Sequence, residues 1–61
     1  MEEDFKAELD WARERLADIN AYAQTEAFDN LSAEDKSLIV EQASALDRYV
    51  YVVGIRASKV A

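Results

Sequence analysis

The stretch Thr25-Glu-Ala-Phe-Asp-Asn-Leu-Ser32 decides the fold, because it separates two segments that are each periodic as an α-helix. Thr25 and Ser32 are residue types that favour the N-cap of a helix, so the stretch predicts one short helical turn and then the start of a long helix. We expect Phe28 and Leu31 to tuck under this end of the molecule and fix the angle between the long helices. A connection this short predicts that those helices run antiparallel.

The segment before the connection, from about residue 2 to residue 24, carries one narrow apolar stripe. Its members recur at spacings of 4, 3, 4, 3 and 4, which places them on one face of a helix. They are Phe5, Leu9, Ala12, Leu16, Ile19 and Ala23. The acidic residues 2–4 suit the first turn of this helix, where the positive end of the helix dipole favours negative charge.

The segment after the connection, from about residue 33 to residue 58, repeats the same spacing of apolar residues. Its stripe consists of Ile39, Ala43, Leu46, Val50, Val53 and Ala57. Residues 49–55 are rich in β-branched and aromatic side chains, which also suits a strand. We favour helix there, because the stripe continues without a change of phase and a lone strand would have no partner. The fold class is therefore all-α: an antiparallel two-helix hairpin (about 2–24 and 33–58) within a single domain covering residues 1–61.

Composition limits what can hold such a small domain together and what chemistry it can perform. The chain has 61 residues, one glycine and no proline, cysteine or histidine. A domain of this size buries little surface, and disulfides and a histidine-based metal site are excluded. Only carboxylates, lysines, tyrosines and hydroxyls remain for catalysis. The acidic residues at helical spacing in the first segment are typical of a solvated face; they are Glu8, Asp10, Glu14 and Asp18. We expect no enzyme activity, no metal and no cofactor.

The charge is unevenly divided along the chain. Residues 1–30 carry nine acidic and three basic side chains, whereas residues 31–61 carry four of each, which accounts for the net charge of −6. Such an acidic domain repels nucleic acid, so DNA and RNA are not expected partners. The first residues lack the pattern of a signal peptide and no apolar run is long enough for a membrane span, so we expect a soluble cytoplasmic protein.

The chain has more apolar surface than a hairpin of two helices can bury. On the first helix, Trp11 and Tyr22 share a line with Arg15 and Asp18, about 100° from the main stripe. On the second helix, apolar residues occupy further sides beyond the stripe; they are Leu38, Val40, Ala45, Tyr49, Tyr51, Val52 and Ile55. One partner helix cannot cover three sides, so we expect a homo-oligomeric helical bundle. Its predicted interface residues are Tyr51, Val52, Ile55 and Leu38.

Gly54 has two interpretations, which the sequence leaves equal. It allows another helix to approach closely, as small residues do at helix crossings, or it only weakens or ends the helix near its C-terminus.

Aromatic and basic side chains form a candidate ligand site. A nucleotide needs guanidinium or ammonium groups for phosphate and aromatic faces for the base. The candidate ligand-binding residues are Tyr22, Arg48, Tyr49, Arg56, Trp11 and Arg15. The competing interpretation is that these aromatics form the interface core and that the arginines pair with acids such as Asp18 or Asp47.

The overall pattern resembles a family of short phage-encoded helical-hairpin proteins. The matching stretches are Leu16-Ala-Asp-Ile-Asn-Ala-Tyr22, Thr25-Glu-Ala-Phe-Asp-Asn-Leu31, Leu46-Asp-Arg-Tyr49 and Ile55-Arg56. Similar hairpin proteins are sponges, oligomers that sequester the nucleotide signals of anti-phage systems such as CBASS and Thoeris. The resemblance implies a counter-defence protein of an infected bacterium's cytoplasm, with a cyclic or ADP-ribose-type nucleotide held between subunits by Tyr22, Tyr49, Arg48 and Arg56.

Two other functions stay open. One is an acidic helical protein-binding module that inhibits a host protein through its first helix, with Trp11 embedded in the acidic face. The other is a structural role as an assembly partner, without a ligand or a host target.

Overall fold

Three helices make up nearly all of residues 4–60, the part of the chain that the computed structural model describes. The helices are α1 (Phe5–Tyr22), α2 (Glu26–Asp29) and α3 (Ala33–Val60). No strand occurs within residues 4–60, and residues 49–55 lie inside α3. The all-α prediction is confirmed, and so is helix over strand for residues 49–55.

The N-terminus of α1 is capped by a side chain. Asp4 lies before the helix rather than in its first turn, and its carboxylate accepts a hydrogen bond from the backbone N–H of Ala7 at 3.0 Å. An N-cap aspartate satisfies a backbone donor that has no partner within the helix, and its charge is favourable at the positive end of the dipole. Residues 2 and 3, where the predicted helix starts, lie outside the described residues.

The C-terminus of α1 comes two residues earlier than predicted. The backbone N–H groups of Gln24 and Thr25 bond to carbonyls three residues back, those of Ala21 and Tyr22, at 3.1 and 3.0 Å. This tighter spacing ends the helix at Tyr22. The Thr25 hydroxyl also donates to the Tyr22 carbonyl at 2.6 Å, so this oxygen at the helix end accepts two hydrogen bonds from Thr25.

The connection folds as its capping residues predict. Thr25 caps the single turn of α2 by accepting from the backbone N–H of Phe28 at 3.3 Å. Ser32 caps α3 by accepting from the backbone N–H of Asp35 at 3.1 Å. The predicted start of α3 is therefore confirmed, whereas its end at Val60 lies two residues beyond the predicted one.

Phe28 joins the two long helices at this end of the molecule. Its ring is half-buried and meets the ring of Tyr22 edge to face, with 6.1 Å between the centroids. On the other side, the Lys36 ammonium lies 5.9 Å from the centroid of the Phe28 ring. The aromatic residue of the connection thus contacts the end of α1 and the first turns of α3.

α1 packs against α3 through the two predicted stripes. Every residue of both stripes is buried or half-buried. Residues later in α1 contact residues earlier in α3: Phe5 lies beneath Arg56, whereas Glu8 contacts Tyr49. The buried layer is thin, because only Ala12 and Val53 among residues 4–60 are almost fully buried.

Gly54 lies in the interior of α3 and has open space around it. The helix continues from Gly54 to Val60, so the glycine does not end it. Apart from its two chain neighbours and the nearby backbone of its own helix, a Cβ atom added at this position would meet no heavy atom within 4 Å. Packing within the chain therefore does not require a glycine here.

Replacing Gly54 by Ala is expected to stabilise the chain. Alanine is favoured over glycine in a helix interior by about 1 kcal/mol, which raises the melting temperature of a domain of this size by roughly 4–8 °C. Thermal unfolding followed by circular dichroism at several protein concentrations measures this gain. Ser37→Ala, at an exposed position of the same helix, is the control and is expected to gain about half as much. A loss of stability in Gly54→Ala would instead place another chain against this glycine.

Candidate functional site

A shallow groove runs between α1 and α3 on one side of the molecule. It is lined by Trp11, Gln42, Ala45, Leu46 and Tyr49 and has a volume of about 460 Å³. The indole of Trp11 is 55% exposed and is the largest apolar surface beside the groove. We call this feature the Trp11 groove. Its two aromatic walls are both predicted ligand-binding residues.

A hydrogen bond across the helices orients one wall of the Trp11 groove. The hydroxyl of Tyr49 donates to a carboxylate oxygen of Glu8. Glu8 is half-buried and engaged with α3, so it does not belong to the solvated face that the other acids of α1 form. Sequence reasoning placed Glu8 with the free acids. The signal that Glu8 lies beside the Trp11 groove was its position three residues before Trp11, which puts both residues on one side of α1.

A second groove lies on the opposite side of α3. Ser44, Asp47, Arg48 and Tyr51 line it, and its volume is about 380 Å³. Tyr49 and Tyr51 are two residues apart, so their side chains diverge by about 160° around the helix. The Arg48 guanidinium carbon lies 5.2 Å from the centroid of the Tyr51 ring. Such an exposed cation–π contact contributes roughly 0.5–1 kcal/mol and holds a guanidinium beside an aromatic face. We call this feature the Tyr51 groove.

The other predicted ligand-binding residues lie elsewhere on the chain. Arg56 stacks over the Phe5 ring, with 5.2 Å from the guanidinium carbon to the centroid, near the N-terminus of α1. Tyr22 lies against the connection at the opposite end of α1. Arg15 is exposed on α1 between these ends. One chain therefore brings Trp11 and Tyr49 together but spreads the remaining candidates over both sides and both ends.

The line of four residues along α1 is open to solvent throughout. Trp11, Arg15, Asp18 and Tyr22 are all exposed. Arg15 and Asp18 form no ion pair with each other or with another described side chain. The alternative in which arginines pair with neighbouring acids is not seen at these two residues, so two opposite charges remain unpaired on this face.

Near the start of α1, an ion pair links two side chains of the same helix. The Lys6 ammonium lies 2.8 Å from the Asp10 carboxylate, one helical turn further along. The hydrogen bond to Asp10, and then the negative charge of that carboxylate, raise the pKa of Lys6 above its usual value. Because the pair is exposed, solvent screening makes its contribution to stability small. Within residues 4–60 no group of three acidic side chains converges to hold a metal ion.

The predicted interface residues are exposed. Leu38 and Tyr51 leave more than half of their surface in solvent, whereas Val52 and Ile55 leave about two fifths. Large apolar side chains on the surface are common singly, but contiguous apolar patches mark contact sites. Their role as an interface stays a prediction.

No family model matches this chain, and no curated protein or solved structure does either. The assignment of a function therefore depends on the geometry of the two grooves and of the exposed face of α1. None of the helices within residues 4–60 combines the length and the apolar character that crossing a membrane requires.

Proposed function

We propose that this chain is an antiparallel two-helix hairpin that assembles into a homo-oligomeric bundle and sequesters a nucleotide signal where its subunits meet. The observation that carries the proposal is the exposed aromatic and apolar surface beside arginine side chains. The resemblance to phage-encoded hairpin sponges suggests the biological setting, which is counter-defence in an infected bacterium.

The apolar surface supports assembly. Nine large apolar side chains within residues 4–60 are exposed, from 38% for Tyr22 and Tyr49 to 72% for Val60. Covering an apolar side chain of this size contributes roughly 1.5–3 kcal/mol when it becomes fully buried. A chain whose own buried layer is so thin gains most of its available hydrophobic stabilisation by packing against further copies.

The chemistry of the grooves supports a nucleotide as the ligand. The Trp11 groove offers two aromatic faces for stacking a base, and the Tyr51 groove offers a guanidinium for a phosphate. Because the grooves lie on opposite sides of α3, one ligand reaches both kinds of group only between two subunits. The net charge of −6 does not prevent this, since charges separated by more than about 10 Å are largely screened.

Light scattering combined with thermal unfolding tests the proposal. We expect an oligomer in solution, and one member of a panel of cyclic and ADP-ribose-type nucleotides is expected to raise its melting temperature. A ligand that binds only the folded state must stabilise that state, by about 2.7 kcal/mol when its concentration is 100 times the Kd. A monomer, or an oligomer that no nucleotide of the panel stabilises, would contradict the proposal.

A matched pair of variants separates a local site from a general charge effect. Arg48→Gln and Lys59→Gln each remove one exposed positive charge from α3. The loss of a hydrogen bond to a charged phosphate costs about 1.5–3 kcal/mol, so Arg48→Gln is expected to weaken binding by roughly 10- to 100-fold. Lys59→Gln is expected to leave the Kd within about twofold. Equal losses in both variants would show that only overall charge matters.

The exposed acids of α1 favour a second function, inhibition of a host protein by an acidic module. Asp10, Glu14 and Asp18 face solvent, whereas Glu8 is engaged with Tyr49. Reversing the charge of Glu14 would abolish inhibition under this alternative while assembly survives. Under the nucleotide proposal the same change leaves nucleotide binding intact.

A further inference from the structure

The exposed line on α1 has an order of residue types that is complementary to the same line in the reverse direction. It consists of an aromatic residue, a cation, an anion and an aromatic residue at spacings of 4, 3 and 4, namely Trp11, Arg15, Asp18 and Tyr22. The line runs from Trp11 to Tyr22, eleven residue steps or about three helical turns, so its ends lie on the same side of α1.

Two antiparallel copies of this line match each other. A two-fold axis midway between Arg15 and Asp18 brings Arg15 of one copy opposite Asp18 of the second. The same axis brings Trp11 opposite Tyr22. Each contact is made twice, which is the property of an interface that uses one patch on both subunits.

We propose that α1 is the contact helix of a two-fold dimer, in which Arg15 of each copy pairs with Asp18 of the other and Trp11 packs against Tyr22. The proposal rests on the proposed function, because it names the face through which the oligomer forms. It also gives the Trp11 groove a third aromatic wall, since Tyr22 of the other copy lies over the indole. The Tyr51 grooves stay on the far sides of this dimer, so a ligand in the Trp11 groove reaches Arg48 only through a further subunit.

The charges favour a second copy as the occupant of this face. Arg15 and Asp18 are exposed and form no ion pair within residues 4–60, so both are available to a partner. A second copy in the antiparallel orientation offers the opposite charge at each position. In the parallel orientation Arg15 would face Arg15, which like-charge repulsion disfavours. No further partner is needed to satisfy either charge.

The dimensions of the molecule limit the size of the interface. Its longest face measures 44 by 17 Å, a projected area of about 750 Å². A standard stable interface buries about 800 Å² on each partner, so a stable dimer has to use more of this face than α1 alone. The side of α3 that lines the Trp11 groove carries Leu38 and Val52, which are exposed as well and extend the apolar surface beyond α1.

Charge reversal tests the pairing directly. Arg15→Asp gives two negative charges on the line, and Asp18→Arg gives two positive charges. Each single variant is expected to raise its dimer dissociation constant by on the order of 100-fold, because like charges then meet twice. An equimolar mixture of the two is expected to form a heterodimer, and the double variant Arg15→Asp with Asp18→Arg is expected to form a homodimer again.

Sedimentation and native mass spectrometry separate these species by mass and charge. Arg13→Asp is the control, because it makes the same charge change at an exposed position off this line, and it is expected to associate like the wild type. Circular dichroism establishes that the variants keep their helix content. An oligomer that neither reversal weakens, or a mixture that forms no heterodimer, would overturn the pairing alone. A monomeric wild type would overturn the proposed function with it.

Discussion

Replacing Val53 by Asp is expected to remove a large part of the chain's stability. Val53 is 2% exposed and is one of the two most deeply buried residues between 4 and 60. Aspartate there loses the hydrophobic stabilisation of the valine and places an unpaired carboxylate between the helices, at a combined cost of about 3–5 kcal/mol. A domain of 61 residues has a total stability of roughly 3–9 kcal/mol, so the change removes a large part of it.

Val40→Asp is the matched control for this prediction. It makes the same substitution in the same helix at a side chain that is 58% exposed. Valine and aspartate have similar helix propensities, so the control is expected to stay within about 0.5 kcal/mol of the wild type. Urea unfolding followed by circular dichroism gives both free energies. Similar losses in the two variants would show that α3 does not bury Val53 against α1.

Replacing Ala12 by Leu is expected to push α1 and α3 apart. Ala12 is 0% exposed, and its small side chain sets how closely the helices approach. Inserting a larger side chain into a packed site costs about 1–3 kcal/mol through displaced backbones and unfavourable rotamers. A loss of this size lowers the melting temperature by roughly 4–24 °C, at 4–8 °C for each kcal/mol in a domain of this length.

Ala17→Leu provides the comparison for the same substitution on α1. Ala17 is exposed, so the added side chain meets solvent rather than α3. Leucine is nearly as good a helix former as alanine, and the control is expected to change the free energy of unfolding by less than about 0.5 kcal/mol. Both variants are compared by thermal unfolding at the lowest protein concentration that gives a signal. Equal stability of Ala12→Leu and Ala17→Leu would contradict the packing.

The fold was predictable because its signals are local. The spacing of apolar residues selected the two faces that α1 and α3 bury, and every member of both stripes is buried or half-buried. Thr25 and Ser32 were recognisable as caps because their hydroxyls serve backbone groups only three residues away. The predicted end of α1 was two residues too late. The hydrogen bonds after the last turn of α1 span three residues instead of four, and the apolar pattern carries no signal for that change.

The candidate site was predictable only as a set of residue types. The sequence pointed to aromatic and basic side chains at the surface, and the structure places Trp11 with Tyr49 and Arg48 with Tyr51. Spacing suggests the second grouping, because Arg48 and Tyr51 are three residues apart and lie on one face of α3. The first grouping does not follow from spacing, because it depends on how α1 lies on α3.

The sequence by itself determined the helices, their caps and the faces that they bury, because apolar periodicity and capping act over a few residues. Only the tertiary structure decided that Glu8 bonds to Tyr49 and that Arg56 lies over Phe5, because residues far apart in the chain meet only when the helices pack. The tertiary structure also decided how little of the apolar surface becomes buried. Two helices share one seam, so Ala12 and Val53 are enclosed while the aromatic residues on the other faces remain in solvent.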